Sequence, residues 1–398
     1  MQSTIDATTD NPKEIWTAIL MGVVGLSAFL GMPVIVGALV EGYGLSEGQV
    51  GYHSATGMAG GIVAAILVSV LINRANRRTL LLAGLIIGIV SNALSALTSD
   101  FNQLLALAFA SGIGGGMIYS LGIALLAGTE HTGKNFSILL FAQGVFGGIE
   151  LFFLPQIAEV FSTAGVFMAL AMAFVLMLPL VGFIGKHSQL KEEALEQDNP
   201  LPSNKLAPWL ALLSVFFFYI AVGSFWTYVE RLGVSAKLNS DTITSALTIG
   251  NLLALIGCMA AYWLSERVGQ AKPLLVGLAC LAITFAVLGQ NINEAIYLIS
   301  MFTFFLLWNF IDIFQLGTLS QIGHSGRHVA LVPAFQSIGT AIGPALSGAL
   351  LANGWSLSGI MMLDSITTLI AFILFILVFI MAFRGKKDVG ASHNPIVI

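Results

Sequence analysis

Two carboxylates lie in stretches of sequence that otherwise carry almost no charge. Asp312 sits within WNFIDIFQLG (308–317) and Glu150 within QGVFGGIELFFLP (143–155). An ionised acid at the centre of a bilayer costs roughly 2.5–3.5 kcal/mol on insertion scales, and low dielectric favours the neutral form of any acid. A group of this kind can load and release a proton as its surroundings change. The chemistry open to Asp312 and Glu150 is therefore proton coupling, or neutralisation of a cationic solute. The competing reading is structural, an acid hydrogen-bonded between two helices.

Helical spacing places Phe305, Trp308, Asp312 and Gln315 on one face, which would give a cavity aromatic walls, one ionisable group and one amide. Gln143, Gly147 and Glu150 share another face, where glycine lets a neighbouring helix or a ligand approach closely. In FFFYIAVGSFWTYVER (216–231), Tyr219, Gly223, Trp226 and Glu230 form a third stripe. Such a stripe reads either as a binding wall or as lipid-facing and interfacial packing, the commoner use of Trp and Tyr. Trp226 and Tyr228 are expected near a membrane boundary, with Glu230 and Arg231 at the interface as part of a gate. Thr244, Thr248 and Asn251 on one helix, and Gln336 and Thr340 on another, could line a pore or serve as interhelical glue. His53 is expected at an interface in contact with water. The sequence pattern leaves the direction of Asp364 open.

The elements that must hold these residues follow from composition. Of 398 residues, 57% are hydrophobic and 9% charged, against about 25% charged in soluble domains. The chain reads as an all-α polytopic membrane protein. About 20 apolar residues make a span, and twelve are expected: 15–40, 49–72, 79–97, 102–127, 136–159, 164–185, 208–229, 242–264, 273–290, 295–319, 329–352 and 357–383. The polar segment KHSQLKEEALEQDNPLPSNK divides them into two sets of six, giving an N-terminal bundle at 1–185, a cytoplasmic linker at 186–207 and a C-terminal bundle at 208–398. With both termini inside, all 16 Lys and Arg except Arg231 and Lys237 fall on the cytoplasmic side, as the positive-inside rule demands. The N-terminus lacks a basic n-region followed by a short apolar run, so no cleaved signal is expected. Compact loops fit a cell (inner) membrane.

The two halves resemble each other. A shift of 193 residues places Asn73 on Glu266, Arg74 on Arg267 and Gln143 on Gln336. Parallel six-helix repeats are the build of one large class of secondary transporter.

The loop after the second span carries a more specific likeness. Ser69, Leu71, Asn73, Arg74, Asn76, Arg77 and Arg78 fall on the pattern Gly-x-Leu-x-Asp-Arg-x-Gly-Arg-Lys/Arg, with both glycines and the aspartate replaced. Glu266-Arg267-Val268-Gly269 keeps the acid, the arginine and the later glycine of a second copy, and GTAIGPALSG (339–348) has the small-residue and proline pattern of an eleventh span. On these residues the chain resembles the major facilitator superfamily over essentially its whole length. The resemblance implies twelve transmembrane helices in two six-helix pseudo-repeats, transport by alternating access, and a conformational role for Asn73, Arg74, Arg77, Glu266 and Arg267. Export signatures of that family are absent. Ala108 stands where proton-coupled exporters carry an arginine four residues before a glycine (here Gly112), and no Gly-Pro pair marks span five. The direction of transport is thus open.

No metal-spaced His/Cys set, Gly-x-Ser-x-Gly elbow or P-loop occurs, so neither an enzyme nor an ATP-driven pump is expected, and no cofactor or metal. GIGGGM (112–117) lies inside a span and reads as small-residue packing, not a nucleotide fingerprint. Cys258 and Cys280 fall in apolar runs and act as small hydrophobes. A net charge of −4 with no basic tail excludes a nucleic-acid partner. No Lys or Arg lies deep in a span, which disfavours multivalent anions because nothing would replace their hydration. Aromatics with carboxylates favour a small neutral, amphipathic or cationic organic solute, with protons and the lipid bilayer as the other partners. Proton-coupling residues are expected to be Asp312 and Glu150. Substrate contacts are expected from Trp308, Gln315, Phe305, Gln143, Tyr219, Trp226, Asn251 and Gln336. The alternatives are a facilitative uniporter of the same fold, or a membrane receptor or sensor, although the largest loop has only about 20 residues. A monomer is compatible with this layout, which fixes no oligomeric state.

Overall fold

A computed structural model describes residues 11–72, 74–129, 131–185, 206–290, 292–322 and 327–388. Asn73, the linker segment 186–205 and the side chain of Glu266 lie outside the described residues. Within them the chain is all-helical, with thirteen α-helices, one 3-10 helix and no strand. Hydrocarbon leaves the backbone no hydrogen-bonding partner but itself, and a helix satisfies every interior amide within one segment.

Polar caps punctuate the apolar runs. Ser46 and Gln49 form a reciprocal capping box at the start of α4 (Glu47–Leu71). Asn76 caps α5 (Arg77–Ser95), Asp100 caps α6 (Phe101–Ala127) and Asn239 caps α9 (Ser240–Val268). Each satisfies a first-turn amide that the helix itself cannot.

Among the described residues ten helices are long and apolar enough to cross a membrane, two fewer than the twelve spans expected. The difference has two sources. The first expected span is divided into α1 (Pro12–Val24), α2 (Ser27–Leu30) and α3 (Met32–Tyr43). Pro33 has no N–H to offer the carbonyl four residues back, Phe29, and the helix breaks there. The fifth and sixth spans fall in one 46-residue element, α7 (Thr132–Met177), in which Ser162 adopts φ 58°, ψ −171°. Along its first arm Gln143 bonds the Gly22 carbonyl at 2.9 Å, and just past Ser162 Thr163 bonds that of Ala38 at 2.7 Å. The chain then returns through a 3-10 turn (Leu178–Phe183), until the Gly185 amide meets Glu14 at 3.0 Å. One arm runs away from the start of α1 and the other comes back to it. Arg78 secures the return, donating to the carbonyls of Ile184 at 2.6 Å and Gly182 at 2.9 Å.

The second half comprises α8 (Ala207–Ser235), α9, α10 (Ala271–Gln290), α11 (Glu294–Ile322), α12 (Arg327–Ala352) and α13 (Leu357–Asp388). The face at which α1 and α8 begin is the near face below, and the opposite one the far face. Glycine decides where helices touch. GIGGGM turns α6 into a hub. Gly112 abuts the Gly57 carbonyl of α4, a Cβ on Gly115 would lie 2.7 Å from the Gly25 carbonyl of α1, and one on Gly114 would lie 2.5 Å from the Gly88 nitrogen of α5.

Helix α8 corrects an expectation. Its aromatic stripe does not face lipid: Tyr228 is fully enclosed, and Tyr219 and Trp226 are buried. In the window hydrophobic enough to span, 78% of the residues are buried, the highest share of any such helix. The helix packs against α12 and α13 behind it and α3 in front of it.

Candidate functional site

A cavity of about 640 Å³ lies between the two halves of the chain and extends into the first half, well within the usual size range for small-molecule sites. The second half contributes Tyr219 from α8, Trp308 from α11 and Gln336 and Thr340 from α12. The first half contributes the broken stretch around Phe29 and the polar residues His53, Ser54, Asn92, Ser111 and Tyr119. None of the lining residues carries a formal charge.

Asp312 is not among the residues lining this cavity and is partly exposed. The Tyr219 hydroxyl donates a short hydrogen bond to its Oδ2, and Gln336 Nε2 approaches its Oδ1 at 3.4 Å. Both partners line the cavity, so three helices (α8, α11 and α12) converge on one carboxyl group. The sequence brings them together through close approach: a Cβ on Gly339 would lie 2.6 Å from the Phe216 carbonyl and 2.9 Å from Tyr219 Cβ. This seats α12 on α8 with Gln336 beside Tyr219.

Of the eight residues expected to contact a solute, Trp308, Tyr219 and Gln336 line the cavity and the other five pack between helices. Gln143 holds α7 to α1 through Gly22. Asn251 donates to the Gly144 carbonyl at 2.6 Å, tying α9 to α7 across the halves. The Trp226 indole donates to the Phe29 carbonyl at 2.7 Å, the group that Pro33 leaves without its helical partner. Phe305 stacks edge-on against Trp226, with centroids 5.6 Å apart. Gln315 is fully buried, and neither atom of its amide has a partner among the described residues. At about 100° per residue the expected face of α11 fans out, leaving Trp308 at the cavity while Phe305 and Gln315 diverge into neighbouring helices. Glu150 is buried beside the break in the first span. Its Oε2 has no hydrogen-bond partner among the described residues, and a Cβ on Gly31 would lie 3.8 Å away. Asp364 is buried in the second half, where it accepts from Ser224 at 3.0 Å.

The polar wall of the first half was not legible as a site. Of its members only His53 is singled out by type, and it is expected to face water, whereas it is 7% exposed and packs edge-on to Phe167. Asn92 and Ser111, hydrogen-bonded to each other at 3.0 Å, are single polar residues within apolar runs, the one signal that could have found them.

The sequence model of the Major Facilitator Superfamily matches residues 17–322, well over half of the chain. The chain belongs to the major facilitator superfamily. It is an integral, multi-pass membrane protein whose family and fold are those of transporters. A curated relative, the aspyridones efflux protein apdF of Emericella nidulans (strain FGSC A4), is 24% identical over 277 residues, 66% of this chain and 55% of the relative. The chain thus spans about half the length of that relative. Among solved structures, the nucleoside transporter NupG superposes with a TM-score of 0.70 at 9% identity, covering 92% of this chain and 98% of that one. A bacterial homologue of the human lysosomal transporter Spinster, in an inward-facing and unoccupied conformation, gives 0.71 at 14%, covering 96% and 100%. These likenesses show the fold.

In this major facilitator protein the halves meet at the far face. Tyr228 donates to the Glu47 carbonyl at 2.9 Å, a Cβ on Gly48 would lie 3.0 Å from the Gly348 carbonyl, and Arg231 bonds Glu41 at 3.0 Å with Glu230 at 3.8 Å. Phe29 and Trp308, centroids 6.2 Å apart, pack edge-on in the cavity wall. Towards the near face the lining continues to Ala124 and Pro333, within two turns of the ends of α6 and α12. Of the residues expected in conformational loops, Arg77 is buried, Arg74 is exposed and Arg267 lies 3.8 Å above the Trp263 ring.

The Glu41 carboxylate is largely exposed, so its ion pair with Arg231 is worth at most about 1 kcal/mol. Arg231→Gln should therefore loosen the far-face closure by no more than roughly fivefold. The readout is labelling of an Ile35→Cys reporter in the cavity wall by an impermeant maleimide added at the far face, with Cys258 and Cys280 replaced by serine. An unchanged labelling rate would show that the pair does not hold the closure.

Proposed function

We propose that this protein is a proton-coupled secondary transporter of a small neutral, amphipathic or cationic organic solute. Residues 1–185 rock against 208–398, with 186–207 as a cytoplasmic linker and both termini on the cytoplasmic side of a cell membrane. The contacts between the halves at the far face support an inward-open state in this orientation.

The observation that carries the coupling is the position of Asp312. It does not line the cavity, yet both its hydrogen-bond partners do. A solute that contacts Tyr219 or Gln336 perturbs the carboxyl group, and a proton on that group changes what the two side chains offer the solute. Such reciprocity is what coupling between two ligands requires. Glu150, buried beside the break in the first span, is the second candidate for proton loading. Uncharged walls and the aromatic faces of Phe29, Tyr119 and Trp308 suit a neutral or monocationic solute.

The test is uptake into proteoliposomes under an imposed pH gradient, in both directions. The first solutes are uridine, glucose, phenylalanine and tetraphenylphosphonium. Uridine is included because one structural relative is named a nucleoside transporter, and export is tested because the curated relative is named an efflux protein. Accumulation that a protonophore collapses is the expected result. Equilibration indifferent to pH would make the protein a uniporter, and no movement of any solute would point to a receptor or sensor.

A further inference from the structure

The first half carries a set of polar groups that the Asp312 network does not use. The cavity face of α4 runs through His53, Ser54, Gly57, Met58 and Gly61, two adjacent positions in each turn. His53 and Ser54 are 7% and 1% exposed, and neither ring nitrogen of His53 nor the Ser54 hydroxyl has a hydrogen-bond partner among the described residues. Both line the cavity.

Buried polar groups in proteins nearly always have partners, and three such atoms on adjacent residues of one helix face are a site in want of a ligand. Their neighbours define what it is. Asn92 of α5 spends its amide nitrogen on the Gly88 carbonyl at 2.8 Å and on Ser111 at 3.0 Å. Phe167 fixes the imidazole edge-on at 6.4 Å between centroids. No Asp, Glu, Lys or Arg lies in the lining, so no fixed charge stands ready to neutralise a phosphate or a carboxylate. A neutral imidazole has one donor and one acceptor, and a hydroxyl has both. The complementary group is itself donor and acceptor without charge: a hydroxyl, an amide or an imide.

We propose that His53 and Ser54 are direct ligands for an uncharged hydroxyl- or amide-bearing part of the transported solute. Their subsite lies on the first half's wall of the cavity, opposite Tyr219 and Gln336. Only one wall carries the carboxyl network. A solute held by His53 and Ser54 therefore sits across the interface between halves, with its apolar body against Phe29 and Trp308. The assignment rests on reading the cavity as a solute pathway and adds to it the recognition chemistry.

Equilibrium binding of uridine, uncharged and bearing hydroxyls and an imide, tests it on purified wild type, His53→Phe, His53→Gln and Ser54→Ala. Losing a hydrogen bond to a buried partner should weaken binding roughly tenfold in His53→Phe and Ser54→Ala, with His53→Gln recovering part of the loss because its amide also donates and accepts. Melting temperatures close to wild type must accompany these losses, so that a folding defect is not mistaken for lost contacts. Wild-type affinity in all three variants overturns the subsite. Failure of wild type to bind uridine also overturns it, while transport of tetraphenylphosphonium, which has no hydrogen-bonding group, would leave the transporter reading standing. A wild type that moves none of the four solutes defeats that reading itself.

Discussion

Asp312→Asn is expected to lose all accumulation driven by a pH gradient while still exchanging solute across the membrane. Asparagine has the shape of a protonated aspartic acid, and its carbonyl can accept from Tyr219 as Asp312 does. The three-helix junction is thereby kept, and only the loading and release of a proton is removed. If one proton accompanies each solute, a gradient of about one pH unit sustains roughly tenfold accumulation, since 1.4 kcal/mol corresponds to a factor of ten. The variant should fall to a ratio of about one, with counterflow retained and the pH dependence of its rate gone. The distinguishing measurement is paired uptake and counterflow in the same vesicles. Normal accumulation by Asp312→Asn would make the carboxyl group structural and move the coupling role to Glu150. Loss of both activities with an intact melting temperature would place Asp312 in solute binding.

The sequence carried the membrane class, the family and the position of Asp312, because an acid in an apolar run is a high-contrast signal. It carried less where both environments are apolar. The stripe of Tyr219, Trp226 and Tyr228 reads alike whether it faces lipid or protein, since the hydrophobic effect does not distinguish a lipid tail from a leucine. Only the packing of α12, α13, α11 and α3 around α8 buries it. The break at Pro33 and the reversal at Ser162 are backbone events that a count of apolar residues passes over. His53 departs from its expected surroundings for a related reason. It lies seven residues past the Ser46 cap, about 10 Å along the helix, a depth that suits an interfacial group. What encloses it is Phe167, from the returning arm of α7, more than a hundred positions away in sequence. The polar wall depends on such distant encounters, whereas Asp312 stands out in its own helix.

Gly112→Ala should destabilise the protein by about 2–3 kcal/mol, although the same change in an ordinary helix interior stabilises it. Alanine is favoured over glycine in a helix by roughly 1 kcal/mol, so propensity alone predicts a gain. Here the added methyl meets the Gly57 carbonyl oxygen, with Gly57 C at 2.8 Å and the Gly61 nitrogen at 3.1 Å. These are backbone atoms of α4 and cannot rotate aside as a side chain would. The two helices must separate, at the upper end of what overpacking costs. Gly61→Ala, on the facing helix, provides the control: its methyl would lie 3.8 Å from the Gly112 carbonyl, an ordinary contact, and it should be neutral or mildly stabilising. Thermal unfolding of the purified proteins reads the difference, and equal melting temperatures would show that α4 and α6 are not held at this point. The consequence extends to the cavity, because α4 presents His53 and Ser54 and α6 presents Ser111 and Tyr119 on the same wall. Prising α4 from α6 widens that wall, so the defect should appear in solute recognition as well as in stability.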